Sequence, residues 1–195
     1  DKGVQNVVWL FTTNVSVFTS NGSFLVKPED FKGVKIRGLE PSFNASLEAL
    51  GAAPSSMSGS KVYQALATNV IDAGLTDVSA AVSRKYFEVQ DHFTVVPVIS
   101  VYFHGYVNPT WYDSLSEKNR AALDRAGKTA AALAIDASIA ASADAPDTLR
   151  SKGSNVHIAT DAEITALEAV MRPAFDAKFK GNDDASKLIE LIAKM

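Results

Sequence analysis

The sequence predicts an α/β fold on a mostly parallel sheet, followed by a long helix and C-terminal helices. Three observations predict it. Short β-forming apolar runs alternate with helical stretches through the first 107 residues. Roughly half of residues 121–145 are alanine, the best helix former. Over 195 residues, 47% hydrophobic against 21% charged is the balance of an ordinary globular chain with a real core.

The elements follow in order. Val7-Val8-Trp9-Leu10-Phe11 reads as a buried strand, and Val15 to Phe18 as another. Asn21-Gly22 is a turn dipeptide. Pro28-Glu29-Asp30-Phe31 reads as a short helical turn, with proline early and acids in its first turn. Gly33 releases the chain into the strand Val34-Lys35-Ile36-Arg37. Ser42 can cap a helix running to Leu50, with Gly51 as its stop. Ala53 to Met57 is extended, Ser60 to Thr68 helical, Val70 to Gly74 strand and turn, and Val78 to Phe87 helical again. His92 to Val107 contains one or two strands.

The second half changes character. Ser116 caps the long alanine-rich helix, which Pro146 should end or kink. Val156-His157-Ile158 is a short strand. Asp161 caps a helix whose apolar positions Ile164, Leu167, Val170 and Met171 share one face, with Pro173 as a possible bend, and Ser186 to Ala193 is a last short helix.

Several kinds of chemistry are excluded or unsupported. The chain has no cysteine, so it has no disulfide, no thiolate nucleophile and no Cys-ligated metal. The three histidines, His92, His104 and His157, lack a second ligand at metal-like spacing; His104 reads as a structural residue of an aromatic strand. There is no G-x-S-x-G elbow and no dinucleotide G-x-G-x-x-G. Ser58-Gly59-Ser60-Lys61 lacks the spacing of a phosphate loop. A net charge of -3 gives no basis for nucleic-acid binding, and no apolar run approaches bilayer length. No metal and no cofactor are expected. The chain opens at Asp1 without Met or a signal-peptide pattern, which reads as a processed or truncated chain.

Arg37 stands out. It ends an apolar strand just before Gly38 and a helix, where α/β sheets place ligands. A guanidinium there can fork onto a carboxylate through two charge-assisted bonds. From spacing alone, a surface arginine paired with Glu40 is the plainer reading.

A family resemblance changes that balance. Asp30-Phe31-Lys32-Gly33-Val34-Lys35-Ile36-Arg37 resembles the D-L-K-G-L-K-I-R stretch of the DctP-type substrate-binding proteins of TRAP transporters. The likeness continues in order through Ala49–Pro54, Lys61–Leu66, Val70–Gly74, Lys85–Gln90 and Val107–Leu115. It implies a type II periplasmic-binding-protein-like lobe with a long lobe-spanning helix, the first lobe being incomplete. It also implies a periplasmic, non-enzymatic receptor that closes over a small organic acid and delivers it to membrane subunits. Sensor or enzyme use of a similar architecture is the alternative. Residues 15–102 plus 143–195 would form the second lobe, and 1–14 plus 103–142 a remnant of the first. Val7–Phe11 and Tyr102–Val107 would then meet another chain or the absent N-terminal segment.

The substrate-binding positions implied are Arg37, the carboxylate clamp, with Thr76, Asp77, Gly59, Ser58, Val17 and Phe103. Several depart from the common pattern. Thr76 stands where many members have Asn, Gly59 where many have a stacking aromatic, and Val17 where some have a second Arg. Loss of that Arg, with Asp77 nearby, leads to the expectation of a monocarboxylate carrying hydrogen-bonding or amino substituents.

Overall fold

In the computed structural model, the structure describes residues 3–13 and 15–192. Strand β1 (Gln5–Thr13) is followed by β2 (Ser16–Ser20), a 3-10 turn at Pro28–Phe31 and β3 (Lys35–Gly38). Helix α1 (Pro41–Ala49), β4 (Ala53–Ser56), α2 (Gly59–Ala67), β5 (Gly74–Asp77) and α3 (Val78–Ser83) come next. After a second 3-10 turn at Tyr86–Glu88 come β6 (His92–Val96), β7 (Val101–Val107), α4 (Pro109–Ser114) and α5 (Glu117–Ser151). The described chain closes with β8 (Asn155–Ile158), α6 (Asp161–Ala177) and α7 (Asp183–Ile192). The expected helix end at Ala193 lies outside the described residues.

The α/β class holds, but the main sheet is mixed rather than mostly parallel. Its order is β5-β2-β6-β8; β2 runs antiparallel to both neighbours, and only β6 and β8 pair in parallel. Strands β3 and β4 form a parallel pair, tied to the lead-in of β5 by a parallel bridge between Ile36 and Ala73. Strand β2 leaves the β1–β7 ladder and β6 leads back into it, so with β1 and β7 antiparallel, β2 and β6 run antiparallel as well. A parallel neighbour needs a crossover, usually a helix. Strand β8 returns through α5 and can therefore lie parallel to β6.

Two apolar layers cover the sheet. Alternation along β2 sends Phe18 to one and Val17 to the other. Phe18, Phe31, Ile36, Leu47, Leu75 and Leu167 form the first, with the faces of α1 and α6. Val17, Val62, Leu66, Tyr86, Phe93 and Leu149 form the second, under α2, α3 and the last turns of α5.

Strands β1 and β7 make a separate antiparallel ladder, and α5 packs along β1. Ser138 Oγ donates to the Phe11 carbonyl at 3.0 Å. The expectation of a buried strand at Val7–Phe11 fails here, because Trp9 is 55% exposed and its neighbours are only half-buried. His104 is likewise no enclosed structural histidine. It is exposed, with Trp9 at 4.9 Å and Tyr106 at 5.5 Å between ring centroids.

Other local expectations are corrected. Helix α1 is capped at Glu40 and entered through Pro41, whose fixed φ suits a first helical position, so Ser42 lies inside it. Thr160, not Asp161, caps α6, in a reciprocal capping box with Glu163. Residues 70–73 form a turn after left-handed Asn69 (φ 54°), and the strand starts only at Gly74. Pro146 removes one internal bond but does not end α5, whose last turns are held by buried Ala145 and Leu149.

Candidate functional site

The candidate site is assembled at the carboxyl ends of β3, β4 and β5. Lys35-Ile36-Arg37-Gly38 alternates faces, so with Ile36 in the first apolar layer Arg37 is directed to the other side. Arg37 is only 9% exposed. Its Nε donates to the Met57 carbonyl at 3.3 Å and its Nη1 to the Leu75 carbonyl at 2.6 Å. These bonds fix the plane of the guanidinium and use two of its five N–H donors. Burial lowers its pKa from the ordinary arginine value, the largest effect on it. It remains a cation at neutral pH. Among the described residues, Arg37 makes no ion pair, Glu40 included.

The next two residues of β5 continue the wall. Thr76 is buried, and its Oγ1 accepts from Arg84 Nη1 at 3.2 Å. Asp77 caps α3: its Oδ1 accepts from the Ala80 N–H and the Ser79 hydroxyl, each at 2.7 Å. The carboxylate therefore faces a helix start, which favours negative charge.

Gly59 completes this group in an unforeseen way. The space beside it is filled by the Arg84 guanidinium. A Cβ on Gly59 would lie 2.6 Å from Cζ and 2.8 Å from Nη2 of Arg84. Real Cβ atoms essentially never come that close. Arg84 reaches there because α3 ends at Ser83 and Lys85 turns the chain into a left-handed conformation (φ 57°). That turn also buries Tyr86, whose hydroxyl donates to the Gly59 carbonyl at 3.4 Å. Burial pushes the Tyr86 pKa up, against a smaller lowering by the Arg84 guanidinium beside it. Its hydroxyl stays protonated and able to donate.

Of the residues expected from sequence, Arg37, Thr76, Asp77 and Gly59 are brought together. Ser58 is exposed at the entry to α2, its Oγ 3.0 Å from that of Ser60. Val17 is fully buried, opposite Thr76, within the second apolar layer. Phe103 stands apart on β7, opposite Leu10 and 59% exposed. Sequence reasoning missed Arg84 and Tyr86. The only linear hint was Gly59 itself, a small residue where the family resemblance implies a large one.

A mixed α/β sheet with a cation at its strand ends and a long helix shared with a second ladder defines a lobe of the periplasmic-binding-protein type. The chain belongs to the DctP family, described as bacterial extracellular solute-binding protein, family 7, whose profile matches residues 1–182. It is 32% identical over 184 residues to the C4-dicarboxylate-binding periplasmic protein DctP of Rhodobacter capsulatus, covering 90% of this chain and 53% of that protein. It superposes with a TM-score of 0.86 and 26% identity on a TRAP periplasmic solute-binding protein from Roseobacter denitrificans with bound β-D-glucuronate, covering 98% of this chain and 63% of that one. A TRAP protein from Desulfovibrio salexigens with bound orotic acid gives a TM-score of 0.89 at 20% identity, covering 99% and 62%. The chain thus spans about half the length of the curated relatives it matches. No helix of the described residues is long and apolar enough to cross a membrane.

Proposed function

We propose that this chain is the ligand-capturing part of a periplasmic receptor of a TRAP transporter. It takes up a small organic acid, with the carboxylate clamped by Arg37, and delivers it chemically unchanged to the membrane subunits. The family membership supports the receptor role. The ligands named for relatives, C4-dicarboxylates and β-D-glucuronate, support the small acid.

The observation that carries the reading is the state of Arg37. A guanidinium only 9% exposed, oriented by two backbone carbonyls and without an acid in contact, is a charge awaiting a counter-ion. The remaining N–H groups can form the two-pronged bond that a carboxylate accepts. Thr76, Asp77, Ser58 and Gly59 would line the same wall. Phe103 would meet the ligand only from the side of β7, on closure. In this reading residues 15–102 and 143–195 form one lobe, 1–14 and 103–142 belong to the other, and α5 spans both. Closure between lobes converts binding energy into a conformational signal rather than a chemical step.

The test is calorimetry on the intact protein, with the acid that copurifies with it identified by mass spectrometry after denaturation. Arg37→Ala should weaken binding of that acid by about 2–5 kcal/mol, the usual cost of stranding one member of a buried charge pair. Unchanged affinity would remove Arg37 from the site. Recovery of a chemically altered ligand after incubation would contradict the receptor reading.

A further inference from the structure

We propose that Arg84, seated over Gly59, is a second anion-binding guanidinium of this site and determines which acids the protein takes. The inference rests on the reading of Arg37 as the carboxylate clamp and names the ligand class that reading leaves open. The favoured ligand is a small acid with two anionic groups, one on each guanidinium.

The two arginines bracket the same pair of segments. Arg37 bonds the carbonyls of Met57 and Leu75, while Arg84 covers Gly59 and bonds Thr76. They are close enough that the Arg84 charge helps to lower the pKa of Arg37, after burial. Like charges held together in a partly desolvated wall are unfavourable unless something negative joins them. Among the described residues, neither makes an ion pair. Asp77 raises the Arg37 pKa by less than Arg84 lowers it. Its Oδ1 is already engaged by Ser79 and the start of α3.

The arrangement is also built rather than incidental. Arg84 Nη1 donates to Thr76 Oγ1, its guanidinium fills the space beside Gly59, and the Tyr86 hydroxyl bonds the carbonyl of that same glycine. A side chain at position 59 would displace the guanidinium from this place, so the glycine is what lets Arg84 sit there.

The experiment is calorimetry on the intact protein with the diacids malonate, succinate and glutarate, each compared with its monoamide. The pairs differ by one charge at nearly constant size. At least one diacid should bind more tightly than its monoamide, and in Arg84→Gln that preference should fall by about 10- to 100-fold, the worth of one charge-assisted hydrogen bond. Gly59→Ala, which displaces the guanidinium without removing it, should reproduce the loss. The double variant should lose no more than Arg84→Gln alone. Equal binding of acids and monoamides by the intact protein, no diacid binding at all, or an unchanged preference in both variants would each overturn the proposal. Arg37→Gln separates it from the reading beneath it. If Arg37→Gln abolishes binding while Arg84→Gln leaves the preference intact, only the role of Arg84 falls. If Arg37→Gln binds as before, the clamp itself falls.

Discussion

Gly127→Ala sets two effects of opposite sign against each other. Gly127 lies inside α5. On a free helix, replacing an interior glycine by alanine stabilises by about 1 kcal/mol. Here the new Cβ would overlap the Val7 carbonyl oxygen, with the carbonyl carbon at 3.2 Å and Val8 Cβ at 3.6 Å. The obstacle is backbone, and it cannot rotate away. Val7 is the extra residue where the β1–β7 register shifts between Asn6 and Val8, flanked by pairs with Tyr106 and Gly105. Relief requires α5 to back off the strand along its whole contact. Overpacking typically costs about 1–3 kcal/mol, and an immovable neighbour belongs in the upper half of that range. After the helix gain, the net loss should be about 1–2 kcal/mol, or a fall in Tm of about 2–8 °C for a chain of this size. The assay is equilibrium urea unfolding, with Ala130→Gly, at an exposed position on the same helix, as the propensity control. That control should lose about 1 kcal/mol. If Gly127→Ala unfolds at or above the wild-type midpoint while the control loses stability, the close packing of α5 on β1 is wrong.

Two further predictions concern the scaffold. Glu163 accepts from the Thr160 N–H at 2.7 Å and contacts His157 Nε2 at 2.8 Å, and these bonds hold its carboxyl down to about 2 from an ordinary 4.5. Because the folded pKa lies below the unfolded one, the stabilisation is complete above about pH 4.5 and is lost as pH falls toward 2. Glu163→Gln should therefore flatten the pH dependence of the urea midpoint between pH 5 and 2; a slope equal to wild type would contradict this. Thr94, 1% exposed on β6, has an Oγ1 for which the described residues provide no partner. Thr94→Val keeps the shape and removes the stranded hydroxyl, so it should stabilise by about 1 kcal/mol. A lowered midpoint would mean that the hydroxyl is satisfied.

The elements legible in the sequence were those whose signals are local. The apolar run leading to Arg37, the Ser116 cap with its bond to the Asn119 N–H, and the alanine-rich helix all appear where periodicity and capping put them. Strand direction was not legible, because β2 looks the same whether its neighbours run with it or against it. Nor was the exposure of Trp9, since an apolar run says nothing of what covers it. In the site, the strand-end position of Arg37 suits a ligand or a surface ion pair alike, and only the family resemblance favoured the ligand. Arg84 was not legible, because its role comes from a left-handed turn at Lys85 and from Gly59, 25 positions earlier in the chain. A glycine replacing an aromatic reads as empty space until the large neighbour that fills it is known.

The same folding logic changes the meaning of Asp77. In sequence it looks like a charge that would repel a bound carboxylate. In the structure it is one of three consecutive residues of β5, each holding a different part of the wall. The Leu75 carbonyl orients Arg37, the Thr76 hydroxyl receives Arg84, and the Asp77 carboxylate starts the short helix that carries Arg84. Leu75 and Thr76 are themselves buried in the sheet, so one anchor point of each guanidinium is fixed by the core. If both guanidiniums hold the ligand as proposed, selectivity follows how far apart that ligand carries its charges, and the series malonate, succinate and glutarate reads this spacing directly.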